Sequence, residues 1–322
     1  MAAYTGIQGQ NILIVSSDPA NPTEGQIWYN STTNLLKGYQ FAAGAWATGG
    51  NLNTARFEPA LGVLGIQTAS LMVGGSNGAT FFNSTESYDG TSWTSLPGTY
   101  PGSIGYFAGC GTQTAALGAG GYPPINGLNS ANTWNGSAWT SAGSFPTAVY
   151  TCPLIGTNTA AILAGGASTG GGPTNASQSY NGSSWTTTSN INTARRGHNG
   201  VGIQTAGLIF GGGTNTESWN GSSWTNTTSI PASTTTSGAA GLQTTALMFG
   251  GSAPANTGAT FSFNGTSWTA ENSMATARRG LGSGGTQTSA LASGGAPVGV
   301  TATSATEEWT GAALATKTIT TS

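Results

Sequence analysis

An eleven-residue phrase recurs six times along this chain, and that recurrence limits its fold more than any other feature. Gly65-Ile-Gln-Thr-Ala-Ser-Leu-Met-Val-Gly74-Gly75 returns at 111–121, 156–166, 202–212, 241–251 and 285–295. Gln67, Gln113, Asn158, Gln204, Gln243 and Gln287 fill one column, and a Thr follows each of them. A second motif lies between the copies. Tyr88-Asp-Gly-Thr-Ser-Trp93, Trp134-Asn-Gly-Ser-Ala-Trp139, Tyr180-Asn-Gly-Ser-Ser-Trp185, Trp219-Asn-Gly-Ser-Ser-Trp224 and Phe263-Asn-Gly-Thr-Ser-Trp268 share one template. Degenerate versions stand at the ends, Phe41 to Trp46 and Trp309 to Leu314. A short unit of this kind cannot bury its apolar face alone, so copies must stack on one another.

Local chemistry assigns the strands. Asn-Gly or Asp-Gly between aromatic positions predicts a two-residue hairpin turn with φ > 0 at both residues, joining two strands, c and d. The Gly-x-Gln-Thr turn and the short apolar run up to Gly-Gly predict a second hairpin, a and b. Tiny residues in strand b suit an inner position, and the Trp of each copy is a natural wedge between sheets. Four strands every 39 to 47 residues, the interval from Trp46 through Trp268, match one propeller blade. Six a–b hairpins and seven c–d segments imply six blades, with the surplus terminal strands overlapping in the last.

Gly-Gly, then aromatic-Asn/Asp-Gly, then Trp, with Arg opening the next unit, resembles the kelch repeat over about residues 47–318. The resemblance implies an all-β, six-bladed kelch-like β-propeller. The chain departs from the usual pattern in its shortage of charge and in its Gly-x-Gln-Thr signature.

Residues 1–46 differ. Asn11-Ile-Leu-Ile-Val15 predicts a strand, followed by a loop, Ser16 to Gly25, and then Gly25-Gln-Ile-Trp-Tyr-Asn30. The stretch from Pro19 through Asn30 resembles N-terminal segments of bacteriophage tail-fibre and appendage proteins, those of marine cyanophages especially. The expected organisation is therefore an attachment segment, 1–32, and a propeller, 33–322, with repeats near 47–93, 94–139, 140–185, 186–224, 225–268 and 269–318. The alternative is that residues 26–46 form hairpins that complete the ring. Ile12, Ile14, Pro22, Ile27, Trp28 and Tyr29 are the expected attachment residues.

Composition restricts the chemistry. Charged residues make up 5% of 322, with 7 basic and 9 acidic side chains and one His. So few Lys and Arg argue against nucleic acid, since they neutralise few phosphates. No apolar window approaches membrane-span length, and the first residues carry no secretory signal pattern. A copper radical site of the galactose oxidase kind needs two His ligands, and only His198 exists. The sialidase Asp-box is approached only by Ser87-Tyr-Asp-Gly-Thr-Ser-Trp93, and Asp18 and Asp89 are the only aspartates. Glu86, Glu217 and Glu307 occupy equivalent places in separate blades, so they are expected to serve solubility on outer strands. No catalytic, cofactor or metal site is expected. Cys110 and Cys152 are expected to be unpaired, because their offset puts them on opposite sheet faces.

Recognition is expected on the face carrying the b–c loops, whose length varies while the scaffold does not. Long examples span 122–129, 167–173, 252–258 and 296–300. Arg56, Arg195, Arg196, Arg278 and Arg279, at the start of strand a, face the same side. With Tyr122 and Asn126 they form the candidate ligand or partner face, alternatively serving as interblade hydrogen-bond donors. Tyr100, Tyr106 and Tyr150 are further candidates for stacking on sugars. The expected function is a non-enzymatic phage virion protein, a tail fibre or capsid decoration, made in the host cytoplasm. It would meet other virion proteins through its N-terminus and host polysaccharide or protein through the propeller, with a homo-oligomer open. The alternative is a secreted or cell-surface bacterial propeller that binds or cleaves glycans.

Overall fold

A computed structural model describes residues 12–60, 62–122, 127–252, 254–297, 299 and 301–319. Its described residues form 28 strands and no helix, gathered in seven four-stranded sheets. Two compact units result, one within Met1–Gly44 plus Gly311–Ser322 and one comprising Ala45–Thr310.

Six sheets belong to the larger unit. The first runs Gly65–Ile66, Ala69–Val73, Thr85–Tyr88 and Trp93–Leu96, antiparallel throughout, and these are strands a to d. Four more repeat that order at 108–149, 154–187, 198–227 and 238–271. The last takes Gly282–Thr286, Ser289–Ser293 and Thr306–Thr310 as a, b and c, and receives its outer strand, Ala45–Gly49, from the opposite end of the unit. The whole is an all-β arrangement consistent with a β-propeller.

The two degenerate motifs do not form hairpins of their own. They exchange strands. Thr306–Thr310 pairs with Ala45–Gly49, bringing Trp309 opposite Trp46, while Leu35–Ala42 pairs with Ala313–Thr318 in the smaller unit's sheet. That sheet also contains Ile27–Asn30 and, parallel to it, Leu13–Val15. The Ile27–Ala42 hairpin thus straddles the expected boundary at residue 32.

The c–d turns differ from the expected two-residue form. The aromatic and the Trp are themselves the last paired residues, as in Trp134 opposite Trp139, leaving a four-residue loop. Asn135 Oδ1 accepts the N–H groups of Ser137 and Ala138 at 3.0 and 2.9 Å, and only Gly136 takes a positive φ, +96°. The Asn side chain replaces a backbone acceptor, so it needs no left-handed conformation itself. Asp89, Asn181, Asn220 and Asn264 do the same.

Neighbouring sheets are joined by the Gln column. Gln113 Nε2 donates to Ser70 O and Tyr88 O of the preceding sheet, and Gln204, Gln243 and Gln287 in the fourth, fifth and last sheets each do the same to the sheet before. Gln67 in the first sheet reaches Ala290 O and Trp309 O of the last at 3.0 and 2.7 Å. Trp93, Trp139 and Trp46 donate their indole N–H to Thr306, Thr85 and Thr260 of the sheet before. The apolar clusters follow the same cyclic order. Ile155, Ile162 and Ile209 with Trp224 join the third and fourth sheets, and Met72, Tyr88 and Leu291 join the first and last. Burial sits between sheets, which is where wedge-shaped side chains contribute most. Cys110 and Cys152 are free and buried there, and desolvation pushes both thiols upward, Cys152 to about 12.

Candidate functional site

The connection entering strand a sets the site. Phe57, Gly105, Tyr150, Thr235 and Arg279 bridge to Ser76, Tyr122, Ala167, Ser252 and Ala296, each at a b–c loop. Variable loops and strand-a entries therefore share one face of the larger unit, as the alternation of strands requires.

At this entry the chain contributes one residue per sheet to a closed hydrogen-bonded crown. Tyr106 N–H donates to Glu58 O, Thr151 to Tyr106, Gly197 to Thr151, Thr236 to Gly197, Gly280 to Thr236 and Glu58 to Gly280, at 2.6 to 2.9 Å. All six have φ between +51° and +66°. Four are not glycine, and left-handed backbone costs such residues about 1–2 kcal/mol each. Strain of this kind persists only where the surroundings fix it.

Tyr106, Thr151, Gly197 and Thr236 of the crown line a cavity of about 510 Å³ together with Tyr122, Tyr150 and Arg196. The tyrosines pack edge to face or tilted: Tyr106 and Tyr122 have centroids 6.0 Å apart at 87°, and Tyr122 and Tyr150 5.3 Å at 40°. All three are half-buried, so ring surface faces the cavity. Glu58 lies behind Tyr106, buried, with Oε1 3.0 Å from Arg279 Nη1. Desolvation pushes the Glu58 carboxyl upward against the opposing pull of Tyr106 and Arg279, and burial with the Glu58 charge pushes the Tyr106 phenol upward. Tyr106 is thus a hydrogen-bond donor, not a phenolate. A second cavity of about 500 Å³, lined by Pro254, Asn256, Arg279 and Pro297, lies beyond the Thr235–Ser252 bridge.

The arginines separate into two sets. Arg56, Arg195 and Arg278 are withdrawn from the candidate face, being at most 3% exposed. Each pairs with a Glu of strand c: Arg56 with Glu86 at 2.5 Å, Arg195 with Glu217 at 2.9 Å, Arg278 with Glu307 at 3.3 Å. Those glutamates are buried too, contrary to the solubility role expected of them, and each accepts two N–H groups from the connection before strand a, as Glu86 does from Asn53 and Thr54. Buried charges must be paired and hydrogen-bonded, and here they are. The signal was in the sequence: the three sheets without such an Arg carry Asn132, Gln178 or Phe261 in the Glu column.

Arg196 and Arg279, the second members of their doublets, do reach the face. Each is braced by a variable loop, Arg196 through Gly171 O at 2.5 Å and Arg279 through Gly299 O at 3.1 Å. Tyr122 lies in the cavity, Tyr100 is buried, and Asn126 falls outside the described residues. His198 is buried with Nε2 3.0 Å from Ala164 O, and desolvation followed by Arg195 holds it neutral, well below its ordinary pKa. Among the described residues no three His, Cys, Asp or Glu side chains form a metal cluster, and no helix is long and apolar enough to cross a membrane.

In the smaller unit, Trp28 is fully buried, its Nε1 donating to Asp18 Oδ1 at 3.0 Å. Asn30 and Lys37 also donate to Asp18, which lowers its pKa to about 2, Lys37 contributing most. Ile12, Pro22, Ile27 and Tyr29 are half-buried, and Ile14 is 71% exposed. Trp28 is thus an internal residue, and Ile14 a surface one.

No protein-family model matches the chain, and no curated protein matches it in sequence.

Proposed function

We propose that the chain is a six-bladed, kelch-like β-propeller that works by binding, serving as a virion appendage that recognises a host-surface glycan. The observation that carries this reading is the tyrosine-lined cavity held open by a strained crown at the loop-bearing face. Aromatic faces with a few fixed polar groups are what small-ligand sites present. Six crown residues closing on themselves, and Gln67 latching the first sheet to the last, support the count of six. The lining brings one carboxylate near, Glu58, whereas glycoside hydrolysis ordinarily takes a pair, which favours binding. Residues 1–32 supply the virion attachment, consistent with their resemblance to appendage proteins.

The test is an array of bacterial surface polysaccharides probed with the full chain and with Tyr150→Ala, scoring both retention and released sugar. Retention by the full chain, weakened at least tenfold by Tyr150→Ala and without release, is expected. Absence of retention on every polysaccharide would sink the recognition role. Light scattering of the full chain beside one lacking the whole smaller unit, residues 1–44 and 311–322, tests attachment: mass that falls to a monomer on truncation supports it, and equal monomers oppose it.

A further inference from the structure

The geometry points to an acidic saccharide, one bearing carboxylates along its chain, as the ligand of the tyrosine-lined cavity, with Arg196 reading the charge. This rests on the binding role proposed above and specifies its chemistry. Of the five arginines, Arg56, Arg195, Arg278 and Arg279 each meet a glutamate. Arg196 meets none among the described residues, and it is the one that lines the cavity. Its Nη1 bond to Gly171 O fixes the guanidinium without neutralising it. In a chain with so little charge, an exposed uncompensated cation at the rim of a half-enclosed site leaves a local field that nothing else in the lining cancels. Glu58, the carboxylate behind Tyr106, is already engaged by Arg279.

The remaining lining suits a sugar ring. Tyr122 and Tyr150 offer ring faces, while the Thr235 and Thr236 hydroxyls, which donate to Ser252 O and Thr235 O, keep lone pairs that accept from sugar hydroxyls. One planar guanidinium matches one carboxylate in bidentate fashion. A nucleic acid strand would demand several cations in a row, and the cavity has one. The second cavity shares the Thr235–Ser252 wall and is lined by Arg279, itself partly exposed. That continuity fits a polymer longer than one repeat.

Binding of the full chain and of Arg196→Gln would be measured by calorimetry on alginate and polygalacturonate (carboxylated), dextran sulfate (sulfated) and dextran and mannan (neutral). Arg196 is exposed, so the variant should fold, and its unchanged melting temperature would verify that. The expected result is binding to a polyuronate that weakens at least tenfold in Arg196→Gln, weakens as salt rises, and is partly kept in Arg196→Lys. Equal affinity for neutral chains, or a variant that binds the polyuronate like the parent, overturns the inference and leaves the recognition role standing. A preference for dextran sulfate over both polyuronates overturns the carboxylate assignment. No binding to any of the five overturns the inference, and silence on the wider polysaccharide array as well removes the role beneath it.

Discussion

The Gln latch can be weakened in one sheet and supplied in another. Gln243 Nε2 donates to Gly207 O at 3.1 Å and to Trp219 O at 2.7 Å. Each bond contributes about 0.5–1.5 kcal/mol net, and truncation to Ala regains up to about 1.5 kcal/mol of side-chain entropy. The acceptors belong to the buried residues Gly207 and Trp219, so the upper range applies: about 2–3 kcal/mol for the two bonds, less about 1 kcal/mol of regained entropy, leaves a cost of about 1–2 kcal/mol for Gln243→Ala. At about 2–3 °C per kcal/mol for a unit of this size, Tm falls by roughly 2–6 °C. Asn158 provides the reverse experiment. It stands in the same column one methylene short and makes neither bond. Ala116 and Trp134, cross-strand partners in the preceding sheet, present the equivalent carbonyls. Asn158→Gln should therefore raise Tm by about 1–3 °C, using the same bond energies. Scanning calorimetry on the parent and both variants decides. A Gln243→Ala protein within 1 °C of the parent, or an Asn158→Gln protein that melts lower, would refute the latch as a stabilising contact.

Three other perturbations follow from the geometry. Arg195→Met strands the buried Glu217 charge and should cost about 3–5 kcal/mol in urea unfolding. Adding Glu217→Gln should restore much of it, because Gln178 already fills that column by bonding Thr147 N and O; a double variant no better than the single contradicts this. Gly241 has φ +104° and an added Cβ would lie 2.0 Å from Thr245 O, so Gly241→Ala should abolish soluble expression, whereas Gly102→Ala, into open space, should leave Tm within about 1 °C. His198 stays neutral when folded but gains a proton near pH 6.5 when unfolded, so stability is full above that pH and falls as pH drops below it. This amounts to about 1.4 kcal/mol by pH 5.5. His198→Gln should flatten that part of the parent's stability–pH curve, and an unchanged slope would show that another group controls it.

Much of the larger unit was legible because its information is periodic. The Gly-Gly and aromatic-Asn-Gly-Ser-Trp columns locate the a–b and c–d hairpins of the first five sheets, and the pairs Trp134–Trp139 and Trp219–Trp224 form where the motif places them. What was not legible lies where the period stops or where side chains meet across it. The Phe41–Trp46 and Trp309–Leu314 motifs look like hairpins locally, yet long-range pairing pulls their strands into different sheets. The crown escaped because Glu58, Tyr106, Thr151 and Thr236 have no glycine to announce a left-handed backbone. Spacing located the face carrying Arg196 and Tyr122, but it could not separate the exposed member of an Arg doublet from the buried one. That separation depends on a Glu some twenty to thirty residues away.

The exchanged terminal strands have a consequence for how the chain folds. Trp46 and Trp309 are about 260 residues apart, and closing a loop of that length costs on the order of 5 kcal/mol of chain entropy. Once Ala45–Gly49 has met Thr306–Thr310, Leu35–Ala42 and Ala313–Thr318 are already neighbours and pair with little further loss. The second pairing thus acts as a ratchet on the first. Neither can begin until residues 306–318 have left the ribosome, so the five sheets before them can assemble during synthesis while Ala45–Gly49 waits as an open edge. Topology of such long range predicts slow folding, and that waiting edge is where a newborn chain is most exposed to pairing with a neighbour.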